Sequence, residues 1–304
     1  MPFFSVIIPS HQRPEFLQRA IESVLSQTFK DFEVIVIVDG NDDLKTTNAE
    51  DNDPRLKWKN SPKSGRSAAR NKGIDSATGQ YLCFLDDDDQ YDENLLMQFY
   101  QQLAALHFPD KVIVRTALLH IHEDGKEHKG SHYIPSRNPN VLSFLLHNMC
   151  SVGTCCFPAG ALSGQRFDER FSFWEDTHFL MRVMVGKTMV QMNNWLYRYH
   201  YHPAMGSKQM KQLSSIVDNN LAAICDYRDN YRKQWLPYLS DKDFKIVLAQ
   251  KYLMYAVRAC RAGDKKFGYQ CLQNSLSQLF LGKSWRMYLL FWAYYLSPKN
   301  AIHG

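Results

Sequence analysis

The sequence predicts an α/β domain built on a mostly parallel, Rossmann-like sheet flanked by helices, followed by a C-terminal helical extension. Three observations lead there. Short apolar runs rich in β-branched residues alternate with helical periodicity early in the chain, the pattern of strands covered on both faces. Acidic clusters follow two of those runs, at the strand ends where open α/β sheets bind ligands. From Gln209 onward the pattern turns helical and basic.

Phe4 to Pro9 is a short apolar run closed by proline, as a buried strand is. Pro14 marks a helix start, and Phe16, Leu17, Ala20, Ile21, Val24 and Leu25 recur at helical spacing through Gln27. Phe32 to Val38 is a second buried strand, stopped by the turn-forming Asp39-Gly40-Asn41-Asp42-Asp43. Leu56 to Trp58 reads as a short third strand, Ser67 to Ala77 as a helix closed by Gly79, and Tyr81 to Leu85 as a further strand. The middle, Lys111 to Tyr201, is less regular. Val112 to His122 reads as a strand that returns after an Asp124-Gly125 turn, Phe171 to Val185 as a helix, and Trp195 to Tyr199 as extended chain. Phe244 to Ala262 and Lys265 to Phe280 form a helical hairpin joined at Gly263-Asp264, and Trp285 to Leu296 is an aromatic amphipathic helix ended by Pro298.

With 304 residues, 45% hydrophobic and 22% charged, the chain is neither disordered nor collagenous nor a coiled coil. A net charge of +5 is too mild to point to nucleic acid, and no nucleic-acid partner is expected. The charge is uneven, however. Gly206 to Gly304 carries 15 Lys and Arg against 6 Asp and Glu, a net of +9, which leaves −4 for the first 205 residues. A basic tail suits phosphate-rich ligands or anionic lipid, or is a set of solvated helix faces. Seven cysteines without Cys-x-x-Cys spacing give no disulfide framework or zinc site, as in a reducing compartment. The N-terminus lacks the basic region of a signal peptide. The longest apolar run, Met287 to Leu296, is well short of the roughly 20 residues that span a bilayer. A cytoplasmic chain with peripheral contact at the inner face of the membrane is expected.

Asp86-Asp87-Asp88-Asp89 directly follows an apolar strand. Four adjacent carboxylates repel one another, and Mn²⁺ or Mg²⁺ relieves such a cluster through hard oxygen ligands. A solvated acidic turn is the plain alternative. Upstream, Gly65-Arg66-Ser67-Ala68-Ala69-Arg70-Asn71-Lys72-Gly73 puts basic side chains at a helix start, a setting suited to a diphosphate. For Arg70 alone, a surface salt bridge is the default.

Taken in order, Ser5 to Pro9, Val24 to Thr28, Asp39 to Asp43, Gly65 to Gly73, Gly79 to Asp89 and Trp174-Glu175-Asp176 resemble the family 2 glycosyltransferases, which have the GT-A fold, depend on nucleotide-sugars and invert the sugar. The resemblance covers about Phe3 to Asp176 and stops before the tail. It implies a glycosyltransferase domain over 1–205, with a nucleotide-sugar half at about 1–110 and an acceptor half at about 111–205, before a basic helical region at 206–304.

Residue by residue, the resemblance places Pro9 near the nucleotide base, Asp39 at the uracil edge, Arg70 near the diphosphate and Asp87 at the ribose. It makes Asp86 and Asp88 metal ligands and Asp176 the base that deprotonates the acceptor hydroxyl, with Glu175 second. A helix dipole alone also favours acids at such a position. His200 is a further candidate ligand for the metal. His202, two residues on, shares its face if the strand continues, though hydrogen-bonded structural histidines are common. The implied reaction is metal-assisted single displacement from a nucleotide-diphosphate donor, a UDP-sugar, to a hydroxyl of a glycan or lipid-linked acceptor. The sugar is of hexosyl or N-acetylhexosaminyl type, and the setting is cell-envelope polysaccharide synthesis. The helix from Trp285 would touch membrane, pack on the hairpin or join a homodimer. Two other classes compete. A sugar-nucleotide nucleotidyltransferase calls for a Gly-rich, Arg-containing loop after its first strand, where this chain has Ser10-His11-Gln12-Arg13-Pro14. A non-catalytic carbohydrate-binding or scaffold protein would show no transfer.

Overall fold

In a computed structural model, which describes residues 1–39, 53–62, 65–130, 141–148, 150–202, 213–278 and 285–296, strand β1 (Phe4–Ser10) is buried at every position. It lies centrally, with β2 (Phe32–Asp39) parallel on one side and β4 (Tyr81–Phe84) parallel on the other. Burial on both faces is why these runs are largely apolar rather than alternating. Helix α1 (Pro14–Leu25) starts on a proline whose missing N–H is not needed there, and it buries Leu17, Ala20, Ile21 and Val24. Strand β3 (Leu56–Ser61) pairs parallel with β2. Helix α2 (Arg66–Ser76) carries Gly73 in its interior, where a β-carbon would run into Ile7 of β1. The glycine gives up helix propensity and lets α2 approach the sheet closely.

The chain continues through β5 (Gln90–Tyr91), α3 (Leu95–Ala105), β6 (Val112–Arg115), β7 (Leu118–Ile121), β8 (Glu127–Lys129), α4 (Val141–His147), β9 (Cys155–Pro158), α5 (Glu175–Val183), β10 (Thr188–Gln191) and β11 (Tyr197–His200). Seven strands form one sheet in the order β10-β6-β9-β4-β1-β2-β3, and four form a second in the order β5-β11-β7-β8. The large sheet is mostly parallel, as predicted, with β9 antiparallel to both β4 and β6.

Two sequence expectations change. The single strand expected over Val112 to His122 is two strands in different sheets. At the break the Thr116 N–H donates to Thr154 (2.9 Å) and the Ala117 N–H to Asn194 (3.0 Å), and beyond it β7 pairs with β11. The helix expected from Phe171 begins only at Glu175, because Trp174 takes a left-handed backbone conformation with φ 64°. The Asp124-Gly125 turn forms, with the Gly125 N–H on His122 O. The expected Gly40–Asp43 turn lies outside the described residues.

Contacts divide the chain into two units, Met1–Pro203 and Ala204–Gly304. The expected boundary at 205/206 falls outside the described residues. The second unit contains α6 (Leu213–Asn230), α7 (Arg232–Trp235), α8 (Asp241–Arg261), α9 (Lys265–Gln278) and α10 (Trp285–Leu296). A reciprocal capping box between Ser240 and Asp243 starts α8. The α8–α9 hairpin turns at Gly263, whose φ of 88° suits glycine. Trp235, Phe244, Leu253 and Phe291 are buried in this unit, whereas Leu289, Leu290, Trp292 and Leu296 of α10 are exposed. Among the described residues, no helix is long and apolar enough to cross a membrane.

Candidate active site

Because β1, β2 and β4 run parallel, Ser10, Asp39 and the run from Asp86 emerge at the same edge of the large sheet. Pro9 is buried in β1 opposite Ile37, one residue before that edge. Asp39 ends β2, and its Oδ2 accepts the Gly65 N–H at 2.7 Å. Gly65 precedes α2 with φ 109°, a conformation L side chains resist, so a glycine is needed to present that N–H.

Past β4, the four aspartates turn to different partners. Asp86 accepts from Arg70 Nη2 at 2.6 Å. Asp87 is buried and turned back toward β1, accepting from the Ser10 hydroxyl at 2.9 Å and the His11 N–H at 3.3 Å. Asp88 Oδ2 lies 2.7 Å from Arg13 Nη1 and 3.0 Å from His202 Nε2. Asp89 is buried, with Oδ2 on the Tyr197 hydroxyl at 2.8 Å and Oδ1 on the His200 N–H at 2.9 Å. Burial, followed by the charge of Asp88, pushes Asp87 up to about 6. The same two causes raise Asp89 well above the ordinary carboxylate range.

The opposite wall comes from the start of α5. The left-handed turn at Trp174, itself buried, directs Glu175 and Asp176 inward. Arg70 joins the two walls. Its Nη1 donates to Asp176 Oδ1 at 2.8 Å and to Glu175 Oε1 at 3.3 Å, while its Nη2 holds Asp86. Arg66 Nη1 lies 3.5 Å from Glu175, and the Val152 N–H donates to Asp176 Oδ2 at 3.2 Å. Burial opposes the charge on Arg70, but Asp176, Asp86 and Glu175 outweigh it and raise its pKa. Burial also works against ionised Asp86, yet Arg70 and Arg66 pull it below the usual range. For Asp176 the balance reverses: burial, with Glu175 and Asp86 as like charges, overcomes Arg70 and pushes it up to about 7.

Pro9, Asp39, Asp86, Asp87 and Asp88 thus share one sheet edge, and Arg70 ties Asp86 to Glu175 and Asp176. Three of the expected residues have the following surroundings. Arg70, expected to face a diphosphate, is enclosed by three carboxylates with its side chain 1% exposed. Asp87, expected at a ribose, is spent on Ser10 and His11. His200 reaches the acidic run only through its backbone, and its Nε2 is buried without a hydrogen-bond partner among the described residues. His202, two residues past the end of β11 at His200, is the histidine that meets Asp88. Arg13 and Tyr197 were given no site role from sequence, and Asp89 entered only as the last acid of the run. Arg13 had a legible signal, a cation between the end of β1 and the proline that starts α1.

The residues fit a divalent ion. Asp86, Asp88 and Asp89 each offer one carboxylate oxygen, all within 4.8 Å of one another. Hard oxygen donors of this kind suit Mg²⁺ or Mn²⁺.

Comparison with known proteins adds the family. The chain is 28% identical over 285 residues to the GalNAc(5)-diNAcBac-PP-undecaprenol beta-1,3-glucosyltransferase of Campylobacter jejuni, covering 91% of this chain and 89% of that one. It is 38% identical over 124 residues to an uncharacterized glycosyltransferase of Rickettsia felis, covering 40% of this chain and 20% of that one. Among solved structures it is similar to S. aureus TarS 1–349 in complex with UDP-GlcNAc, with a TM-score of 0.56, 14% identity, and coverage of 91% of this chain and 92% of that one. That likeness concerns the fold, which is of the GT-A type. Residues 5–168 match the model described as glycosyl transferase family 2, and the chain belongs to that family.

Proposed function

We propose that this glycosyltransferase moves a sugar from a UDP-sugar donor to a hydroxyl of a lipid-linked glycan, with inversion and with the help of a divalent cation. The observation that carries the reading is the shared guanidinium of Arg70, which brings Asp86 of the donor edge and Asp176 of α5 into one centre. Pro9 and Asp39 border the nucleotide. Asp86, Asp88 and Asp89 would hold Mn²⁺ or Mg²⁺, with His202 better placed than His200 to assist at Asp88. When bound, such an ion supplies positive charge to the departing diphosphate.

Asp176 takes the proton of the acceptor hydroxyl as its oxygen attacks the anomeric carbon from the face opposite the diphosphate. A carboxylate pushed up to about 7 is about half ionised at neutral pH and more basic than an ordinary carboxylate. Glu175 remains paired with Arg70 and Arg66 and is the second candidate. Arg70 acts through its carboxylates, keeping Asp86 and Asp176 at a fixed separation.

The domain over 1–205 performs this transfer, and the basic region 206–304 brings it to an anionic membrane surface at the cytoplasmic face. Support for the second point is the net +9 of that region and the exposed Leu289, Leu290, Trp292 and Leu296 of α10. The name of the Campylobacter relative specifies an undecaprenol-linked acceptor and a glucosyl transfer, which supports a lipid-linked acceptor and a hexose donor. The TarS complex with UDP-GlcNAc supports a uridine nucleotide.

The test is a donor-panel thermal shift with and without Mn²⁺, then transfer assays on the stabilising donor with product anomers assigned by NMR. A β-linked product from an α-linked donor is expected. Retention at the anomeric carbon, or no donor that shifts the melt or turns over, would end the proposal.

A further inference from the structure

We propose that Arg13 is a displaceable counter-ion of the donor site, coupling the binding of the divalent cation to the binding of the diphosphate. This rests on the reading of Asp88 as a metal ligand. Arg13 stands outside α1, between Gln12, whose φ is 51°, and Pro14. Its Nη1 lies 2.7 Å from Asp88 Oδ2 and 3.5 Å from Asp87 Oδ1. His202 Nε2 approaches the same Oδ2 at 3.0 Å, with the Phe16 ring packed against its imidazole at 4.5 Å. One oxygen of the candidate ligand therefore already has two nitrogen neighbours.

A cation entering among Asp86, Asp88 and Asp89 meets Arg13 as a like charge on the same carboxylate. The two compete, so a cation arriving alone has to displace the guanidinium. A diphosphate changes the balance, because it offers guanidinium a matching set of anionic oxygens. Once Arg13 moves to that group, Asp88 is released to the metal. Arg70 cannot make this exchange: its side chain is 1% exposed and held by three carboxylates, whereas Arg13 is 29% exposed. The division of labour is a buried arginine that fixes the architecture and a more exposed one that answers the ligand.

The experiment is calorimetry on the full chain with MnCl₂ and UDP, each titrated alone and in the presence of the other, for wild type, Arg13→Gln and Arg13→Lys. In wild type, UDP should tighten Mn²⁺ binding by about 5- to 150-fold, the usual range of coupling between sites. Arg13→Gln should bind Mn²⁺ alone more tightly and UDP alone more weakly, and its coupling should shrink to less than about 5-fold. Arg13→Lys keeps the charge without the fork and should fall between the two, which also guards against a Gln variant that does not fold. Variants with wild-type Mn²⁺ affinity and wild-type coupling would overturn the role of Arg13 alone. A wild-type chain that binds neither Mn²⁺ nor UDP would overturn the donor-site reading and this inference with it.

Discussion

Asp86 and Asp176 are held by the two terminal nitrogens of one arginine, at 2.6 Å and 2.8 Å from Arg70. One carboxylate lies just past β4 and the other in the first turn of α5, so this guanidinium joins the sheet edge to α5. Its removal would leave buried Glu175 and half-buried Asp86 and Asp176 without their common partner. Breaking a buried ion pair from one side costs about 3–5 kcal/mol. Arg70→Met should lower stability by about that much at pH 8, measured by urea unfolding. The sign with pH follows from Asp86, whose native value is depressed: its stabilisation is present above the unfolded value of 3.8 and lost as pH falls through the native one. The gap between wild type and variant should therefore narrow in acid. Equal stability at pH 8 would show that the three carboxylates are compensated elsewhere.

Asp176→Asn should lose about 10²- to 10⁴-fold in kcat, the usual contribution of a general base. Its affinity for UDP should stay close to wild type, because the change is on the acceptor side. Near-normal turnover would remove Asp176 as the base and turn attention to Glu175.

The pH profile supplies an independent reading of the same group. A base pushed up to about 7 is protonated and inactive below that value, so kcat/KM at saturating Mn²⁺ should fall as pH drops through about 7. The acid limb should vanish from the residual activity of Asp176→Asn. An acid limb that persists unchanged in that variant belongs to another group.

Asp88→Ala should abolish the Mn²⁺-dependent part of UDP binding seen by calorimetry, because Asp88 is one of the three acids with converging oxygens. Binding that still responds to Mn²⁺ as in wild type would take Asp88 out of the ligand set.

Leu289 and Trp292 are exposed on α10, in the part of the chain that carries net +9. Replacing both with Glu should abolish flotation with phosphatidylglycerol vesicles while leaving the melting temperature nearly unchanged, since neither side chain is buried. Flotation equal to wild type, or a wild type that floats as well with neutral vesicles, would remove this helix as an anionic-surface anchor.

The cores of β1, β2 and β4 and the span of α10 were legible in the sequence, as were α1, α2 and the α8–α9 hairpin to within a few residues. These elements announce themselves through local periodicity and through the prolines and glycines that bound them. The acidic run past Leu85 stands out by itself, as like charges crowded at an element's end, whereas Trp174-Glu175-Asp176 is noticed only through the family resemblance, because a helix dipole alone favours acids there.

Where each charge finds its partner was decided by tertiary structure. Arg70 reads as an exposed cation near a helix start, yet the fold encloses it among Asp86, Glu175 and Asp176. Which of His200 and His202 meets Asp88 is set by where the fold carries each ring, and whether Val112 to His122 is one strand or two depends on which neighbour takes each N–H. Periodicity and chain punctuation act over a few residues and are written along the sequence. Ion pairing and burial act through space, between segments that only the folded chain brings together.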